Sequence, residues 1–449
     1  MTDLLPETRR ALRHRLAVGQ SSGRTPSVVA AVVRDGGLIW ADGWGTVDGV
    51  VPDADVQYRI GSITKTLTAI LVLRLRDEGL LDLDDPLDAH LPGTAAGSST
   101  VGALLAHTAG LVAEPPGPWW ERTPGALRPE LADVLPETPY VYPPGRRFHY
   151  SNPGYALLGA LIEKVRGVSW AEVLRAEVLE PLGMDRTGPE PVAPHASGWA
   201  VHPWADVLLP EPAQDLGRLV AAGQLWSTAA DLARLAGFLL DGDERVLRRA
   251  SVEEMCAART TEYGLGVQIL RAPDGRVLTG HTGSLPGFVS TVAVDPAEGL
   301  GAVVLGNVTA GLEVGVITAD LIRIVAEREP RIPEPWRPLR SVDPELLALA
   351  GPWYWGPNPY VLRPAADGYL ELSALRGGGT RATRLRPDPD GGWTGLSGYF
   401  DGERLRIERD AAGAVTHLDI GTFVFTRQPY DPASPIPGGV DPAGWRGSD

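Results

Sequence analysis

Across the first 330 residues, strand-like segments lie at the two ends and helical ones between, and this separation constrains the fold more than any other feature. Ser27 to Val33 is a β-branched run, SVVAAVV. Asp35-Gly36-Gly37 makes a turn, and Leu38-Ile39-Trp40 starts a return strand, so the segment predicts a hairpin. A helical region follows from about Gly61 to Phe238. Strand patterns return at Gly264–Leu270, Arg276–Thr279, Phe288–Val294 and Gly301–Asn307, and a helix over Leu312–Glu327 follows. Strands so far apart in sequence share one core only if the N-terminal and C-terminal strands close into one sheet, with the helices packed on it.

Within the helical region, the clearest helix runs from near Ser62 to Glu78 and ends at Gly79. Its apolar positions nearly circle the axis, so it belongs in the middle of the domain. Further helices are predicted near Val101–Ala106, Tyr155–Arg166 and Thr228–Leu240, and a short amphipathic one within Met1–Gln20. Glu329 to Pro338 holds four prolines in ten residues and reads as a semi-rigid linker. Beyond it, Asp367-Gly368, Asp390-Gly391 and Asp401-Gly402 separate short strand patterns at Tyr369–Leu372, Trp393–Leu396, Leu405–Arg409 and Thr422–Thr426. These predict a small all-β module of the up-and-down barrel or half-barrel kind. The expected organisation is an α/β two-lobed domain over residues 1–328, a linker over 329–340, a β domain over 341–428 and a Pro/Gly-rich tail over 429–449.

Composition narrows the chemistry. The net charge of −15 argues against a general nucleic-acid binder, which needs a basic face to displace counterions. A mean hydropathy of −0.06 and the absence of any long apolar run predict no membrane span. The single cysteine, Cys256, excludes an intramolecular disulfide and a cysteine-based metal site. The eight histidines include no HExxH pair, and no glycine-rich phosphate loop follows a strand, so no metal and no cofactor are expected. Arg9-Arg10 lacks the apolar stretch of a twin-arginine signal, which leaves a cytoplasmic location as the expectation. Only two residues, Lys65 and Lys164, are lysines in an otherwise arginine-based chain. A lysine in such a background is a candidate for chemistry, because its amine can lose a proton and a guanidinium cannot.

Three segments carry candidate chemistry. Ser62-Ile63-Thr64-Lys65 places a hydroxyl and an amine three residues apart, on one face of a helix start. A serine needs a neighbouring base to become a nucleophile, and a desolvated lysine near a helix N-terminus has its pKa pushed down toward that role. Read alone, the segment also fits an N-cap serine with a solvated lysine. Tyr150-Ser151-Asn152 follows a turn-rich loop; a loop Tyr near a buried Lys can hold a depressed pKa and relay protons, and an Asn amide can orient a substrate amide. Taken alone, the segment fits an ordinary loop Tyr with an Asn helix cap better. His281-Thr282-Gly283 follows a strand pattern, and its glycine would let a substrate backbone lie against that strand, or it is a hairpin turn with a surface histidine. Trp119-Trp120, in a Pro-rich segment, either walls a cleft or packs on the surface.

Taken together and in order, these segments resemble the serine β-lactamase and penicillin-binding-protein superfamily, specifically its class C branch with its esterases, D-aminopeptidases and D,D-peptidases. Supporting stretches are Tyr58 to Lys65, Leu104 to Leu111, Tyr150 to Tyr155 and Gly280 to Gly283. The resemblance covers about residues 8 to 328, and the β module resembles the lipocalin-like C-terminal domain of some members. It implies that Ser62 is acylated, that Lys65 and Tyr150 share the general base and acid work, and that Asn152 contacts Lys65 and the substrate amide. It also implies an oxyanion hole from the backbone N–H groups of Ser62 and Ser284, with His281 and Gly283 in the substrate-binding strand. His281 stands where the family's β-lactamases usually carry Lys, which points away from β-lactam hydrolysis and toward esterase or peptidase work. His107 matches a stretch read as structural.

The resulting expectation is a serine hydrolase acting through an acyl-enzyme on ester or amide bonds of a small or D-residue-containing, peptide-like substrate. The resemblance also admits a stand-alone peptide cyclase or thioesterase that passes the acyl group to an amine, and a non-catalytic binding module of the same fold. A small-molecule or peptide substrate is the expected partner; the oligomeric state is open.

Overall fold

The computed structural model describes residues 4–333, 335–366, 368–375, 382–429 and 435. Asp367 of the first predicted Asp-Gly turn, and all of the tail beyond residue 429 except Pro435, lie outside the described residues. The chain divides into two compact units, Met1–Arg331 and Ile332–Asp449.

The first unit is built on a six-stranded antiparallel sheet. In chain order its strands are β1 (Ser27–Arg34), β2 (Gly37–Gly45), β3 (Gln268–Arg271), β4 (Val277–Leu285), β5 (Phe288–Asp295) and β6 (Leu300–Gly306). Their spatial order is β2-β1-β6-β5-β4-β3, so the N-terminal hairpin pairs directly with the last C-terminal strand. The β1–β6 register sets Val28 opposite Gly306 and Arg34 opposite Leu300. Both faces of β1 are buried, which is why its sequence is a continuous apolar run and does not alternate. Val29, Ala31 and Val33 face the helical lobe; Val28, Ala30 and Val32 face the terminal helices α1 (Pro6–Ser22) and α5 (Val314–Arg328). Two cores therefore sit one on each side of the sheet.

The helical lobe holds α2 (Thr64–Asp77), α3 (Asn152–Arg166) and α4 (Ala229–Asp241). Every residue of α2 from Thr64 to Leu73 is buried, the all-round burial its apolar circumference predicts. The region is not wholly helical. Gly198–Val201 pairs with Leu208–Glu211, and Tyr58–Arg59 pairs with Trp226–Ser227. These pairs are short and lie among turns, so they leave no period for a sequence reading to detect.

The second unit is an eight-stranded antiparallel meander: β7 (Gly351–Trp355), β8 (Asn358–Pro364), β9 (Leu370–Ala374), β10 (Thr383–Pro387), β11 (Trp393–Gly395), β12 (Arg404–Arg409), β13 (Val415–Ile420) and β14 (Phe423–Phe425). The edge next to β14 returns to β7, where Tyr354 and Thr426 exchange backbone bonds of 2.7 and 2.9 Å, so the barrel is almost closed. Alternate residues such as Trp353, Leu362, Leu385 and Phe425 fill its own core. Gly391 and Gly402 of the Asp-Gly turns take positive φ, as hairpin turns require. No helix among the described residues is long and apolar enough to cross a membrane.

Candidate active site

Ser62 lies in a single helical turn, Gly61–Ile63, that feeds directly into α2. Gly61 has φ +50, and a Cβ there would fall 2.7 Å from the Ser284 backbone nitrogen. Only glycine lets this turn approach β4 so closely. The approach is tightened by Ser290, whose hydroxyl donates to the Ile60 carbonyl at 2.9 Å. Ser62 is half-buried and Ser284 exposed, so both side chains meet solvent beside this approach.

One helical turn on, Lys65 is fully buried. Its Nζ contacts Ser62 Oγ at 3.1 Å, Asn152 Oδ1 at 2.7 Å and the Ala222 carbonyl at 2.7 Å. Burial pushes its pKa down to about 7, against a smaller opposing pull from the Glu114 and Glu121 carboxylates. A neutral amine has two N–H bonds and one lone pair. Asn152 and Ala222 offer only carbonyl oxygens and so take the two N–H bonds. The lone pair is then left facing the one partner that can donate, the Ser62 hydroxyl. The wiring therefore aims a base at the nucleophile as soon as Lys65 loses its proton.

Asn152 is free for this because Ser151, not Asn152, caps α3. Ser151 Oγ accepts from Gly154 N at 3.1 Å and donates to the Val112 carbonyl at 2.7 Å. The Asn152 amide then bridges Lys65 on one side and Glu114 on the other, donating through Nδ2 at 3.1 and 2.9 Å to the two carboxylate oxygens. Trp120 Nε1 also donates to Glu114, at 2.6 Å. Trp119 is more than half exposed and donates to Glu121.

The Tyr150 hydroxyl interacts with the Ser62 side chain, and Lys65 Nζ lies 4.9 Å from the Tyr150 ring centroid. The expected depressed pKa is not found. Burial raises the Tyr150 pKa, more than the Ser62 contact lowers it. Among the described residues no fixed cation stands beside the phenol, because Lys65 is itself poised to be neutral and burial holds His281 down to about 3. Tyr150 is therefore a neutral phenol able to give a proton, and the amine is the group able to take one.

His107 explains how the Tyr150 loop is held. It adopts φ +55, stacks 4.2 Å from the Tyr150 ring and accepts at Nδ1 from the Ser151 backbone N–H at 3.0 Å.

The β4 strand departs from the sequence expectation. His281 is fully buried, not a surface histidine. Its Nδ1 meets the Thr282 carbonyl, so Nε2 is left to accept from the Tyr263 hydroxyl at 2.8 Å. A Cβ on Gly283 would lie 1.9 Å from the Ile60 carbonyl, so internal packing requires glycine at this position. Strand alternation is the reason: His281 and Gly283 point inward, while half-buried Thr282 and exposed Ser284 share the other face. Thr282 donates through both its N–H and its hydroxyl to Gln268 Oε1. Glu114 thus joins the hydrogen-bonded group of Ser62, Lys65 and Asn152, and Thr282 shares the outward face of β4 with Ser284. Counting residues along the strand from Ser284 would have found Thr282; nothing local in sequence marks Glu114. Among the described residues, no group of three or more His, Cys, Asp or Glu side chains could hold a metal ion.

Comparison with known proteins places this geometry in context. A family model described as Beta-lactamase matches residues 8–327, and one described as Domain of unknown function (DUF7586) matches residues 342–427. Penicillin-binding protein 4 of Amycolatopsis lactamdurans is 30% identical over 334 residues, 67% of this chain and 85% of that protein. A penicillin-binding protein of Bacillus subtilis is 27% identical over 257 residues, and the match spans 51% of this chain but only 56% of the relative. Among solved structures, a D-stereospecific amidohydrolase from Streptomyces superposes with a TM-score of 0.57 at 26% identity, over 69% of this chain and 98% of that one. SurE bound to D-Leu superposes at 0.56 with 26% identity, over 94% and 100%.

Proposed function

Because the chain belongs to the β-lactamase family, we propose that it is a serine acyl hydrolase that cleaves an ester or amide bond of a small, peptide-like substrate carrying a D-residue. The observation that carries the reading is the buried Lys65 amine, 3.1 Å from Ser62 Oγ, with both its other contacts going to carbonyl oxygens.

In this reading, neutral Lys65 takes the Ser62 proton as Oγ attacks the substrate carbonyl. The backbone N–H groups of Ser62 and Ser284 receive the developing oxyanion, an arrangement worth roughly 3–4 kcal/mol per donor in the transition state. Tyr150, as a neutral phenol, hands its proton to the leaving group and recovers one from Lys65. Water then attacks the acyl-enzyme by the reverse route. The D-preference is supported by the two solved structures above, one a D-stereospecific amidohydrolase and the other bound to D-Leu. Placement in the class C branch is supported by the Tyr150-Ser151-Asn152 segment.

The test has two readouts. A fluorophosphonate should add one adduct mass, mapped to Ser62, and Ser62→Ala should not label. Matched D- and L-amino-acid esters should then be hydrolysed with the D-isomer preferred. Absence of an adduct overturns the serine mechanism; an L-preference overturns the stereochemical part. A product mass lower than the acid by one water, with a substrate bearing its own amine, would show that the acceptor is an amine and not water.

A further inference from the structure

We propose that a cavity between α3 and the 217–221 segment is a second ligand site, which takes a small monocarboxylate with an apolar body. The site stands without the serine-hydrolase reading, although the acid that an ester or amide releases on hydrolysis belongs to the same chemical class.

The cavity holds about 260 Å³. One wall is α3, through Ala156, Gly159, Ala160 and Glu163; another is the 217–221 segment, through Arg218 and Ala221. Both walls lead to Lys65. Asn152 begins α3, Ala222 follows the 217–221 segment, and these two residues accept from the Lys65 amine. A Cβ on Gly159 would fall 2.6 Å from Ala221 Cβ and 4.0 Å from Trp170 Cδ1, so the two walls and the indole meet at one junction. Beside it, the small side chains of Ala156 and Ala160 leave space that larger ones would fill. Trp170 also lines the cavity; its side chain is buried and its Nε1–H has no hydrogen-bond partner. An unpaired buried donor is a standing cost, which an acceptor on a ligand would offset.

Charge selects the ligand. The lining carries two guanidiniums, Arg128 and Arg218, against one carboxylate, Glu163, in a chain whose net charge is −15. Each guanidinium is anchored by a neutral partner: Arg128 donates to the Pro116 carbonyl, and Arg218 Nε donates to the Pro129 carbonyl at 2.7 Å. Such bonds fix a guanidinium without cancelling its charge, and they leave further N–H groups for a ligand. Glu163 is engaged elsewhere. One of its oxygens accepts from the Trp170 backbone N–H at 3.0 Å, and the other stands 3.7 Å from Arg218, a loose ion pair. A positive lining over an interior of small apolar side chains and an indole fits an anion with an apolar body. A carboxylate matches the guanidinium fork in plane and in charge, whereas an ammonium would meet two like charges. Drug-sized ligands use roughly 300–1,000 Å³, so the occupant of this cavity is smaller than those.

The test titrates the full chain with phenylacetate, phenylacetamide and phenethylamine, three ligands of similar size, by calorimetry and saturation-transfer NMR. Phenylacetate should bind with a Kd of about 1 mM or tighter. Phenylacetamide should bind at least roughly tenfold more weakly, the loss of one charge-assisted hydrogen bond, and phenethylamine more weakly still. The double variant Arg128→Gln, Arg218→Gln should bring the acid and the amide to within about threefold of each other. Ala160→Leu, which fills the cavity, should abolish binding of the acid. Ser62→Ala should bind the acid as the native protein does. If Ala160→Leu does not fold, the double variant and the native three-ligand ranking carry the decision. No binding to the native protein, or equal binding of acid and amide, overturns the proposal. An acid preference that survives in a folded Ala160→Leu overturns it by placing the ligand outside the cavity, and loss of binding in Ser62→Ala overturns it by placing the carboxylate at the serine. None of these outcomes depends on whether Ser62 accepts a fluorophosphonate, so a failure of the hydrolase reading is separately visible.

Discussion

Lys65 is the residue at which burial, hydrogen-bond geometry and proton affinity meet. Its pKa of about 7 gives pH dependence a definite sign: the proton-free amine is the competent form, so kcat/KM should rise with pH through about 7. A rate roughly a hundredfold lower at pH 5 than at pH 9 is expected for a base with that pKa. A flat profile over that range would count against Lys65 as the base. Lys65→Met, which keeps most of the side-chain volume, should lower Ser62 labelling by about a thousandfold while retaining the far-UV circular dichroism signal. The bulkier Lys65→Arg is a poorer probe, since the site is already packed around Asn152 and Ala222. Removing the Glu114 charge should move the acid limb of the native profile to lower pH, because that carboxylate favours protonated Lys65. His281 carries the opposite lesson. With the ring fully buried and its Nε2 bonded to Tyr263, His281→Lys would bury a charge in place of a neutral acceptor. A loss of roughly 3–5 kcal/mol of stability is expected, the range for an uncompensated buried charge, readable as a lowered Tm. His281→Gln, which can still accept a bond, should lose much less.

Elements hold these residues in register through backbone contacts more than through side chains. The turn before α2 meets β4 at Gly61 and Gly283, where added Cβ atoms would fall 2.7 Å from Ser284 N and 1.9 Å from the Ile60 carbonyl. Gly283→Ala should therefore push the strand away from the Ser62 turn. Loss of most Ser62 labelling together with a destabilisation of about 2 kcal/mol or more is expected from a clash against backbone, which has no rotamer to yield. Unchanged labelling in Gly283→Ala would show that this approach does not shape the cleft. On the other side, α2 is tied to the 220–223 segment by Lys65 and by Thr68, whose hydroxyl donates to the Ala221 carbonyl at 2.8 Å. Two of the four polar residues in the buried stretch Thr64–Leu73 thus bond one neighbouring turn, which fixes the Lys65 amine opposite Ala222.

For the whole molecule, each compact unit has a separate hydrophobic core, with the β barrel filled by its own inward-facing side chains. A fragment ending at Arg331 should accordingly fold and label at Ser62, checked by intact mass after fluorophosphonate treatment. A fragment that does not fold would show that the first unit's core is incomplete by itself. The sheet, its closure between strands 265 residues apart (35–299 intervening) and the barrel were legible in sequence because each is written as a local period: the β-branched run at Ser27–Val33, the all-round apolar helix after Ser62, the Asp-Gly turns of the barrel. Ser62, Lys65, Tyr150 and Asn152 were legible for a different reason: short spacings with a chemical purpose, ordered in a way that resembles a known superfamily. What escaped was whatever depended on the side of an element a residue faces once neighbours have packed. The sequence alone settled which groups are present and which strands and helices carry them, since propensity and periodicity act over a few residues. Tertiary packing alone decided that His281 turns inward, that Tyr150 keeps its proton, that Ser151 caps in place of Asn152 and that Glu114 reaches the amide, because desolvation and long-range contacts exist only after distant segments have come together.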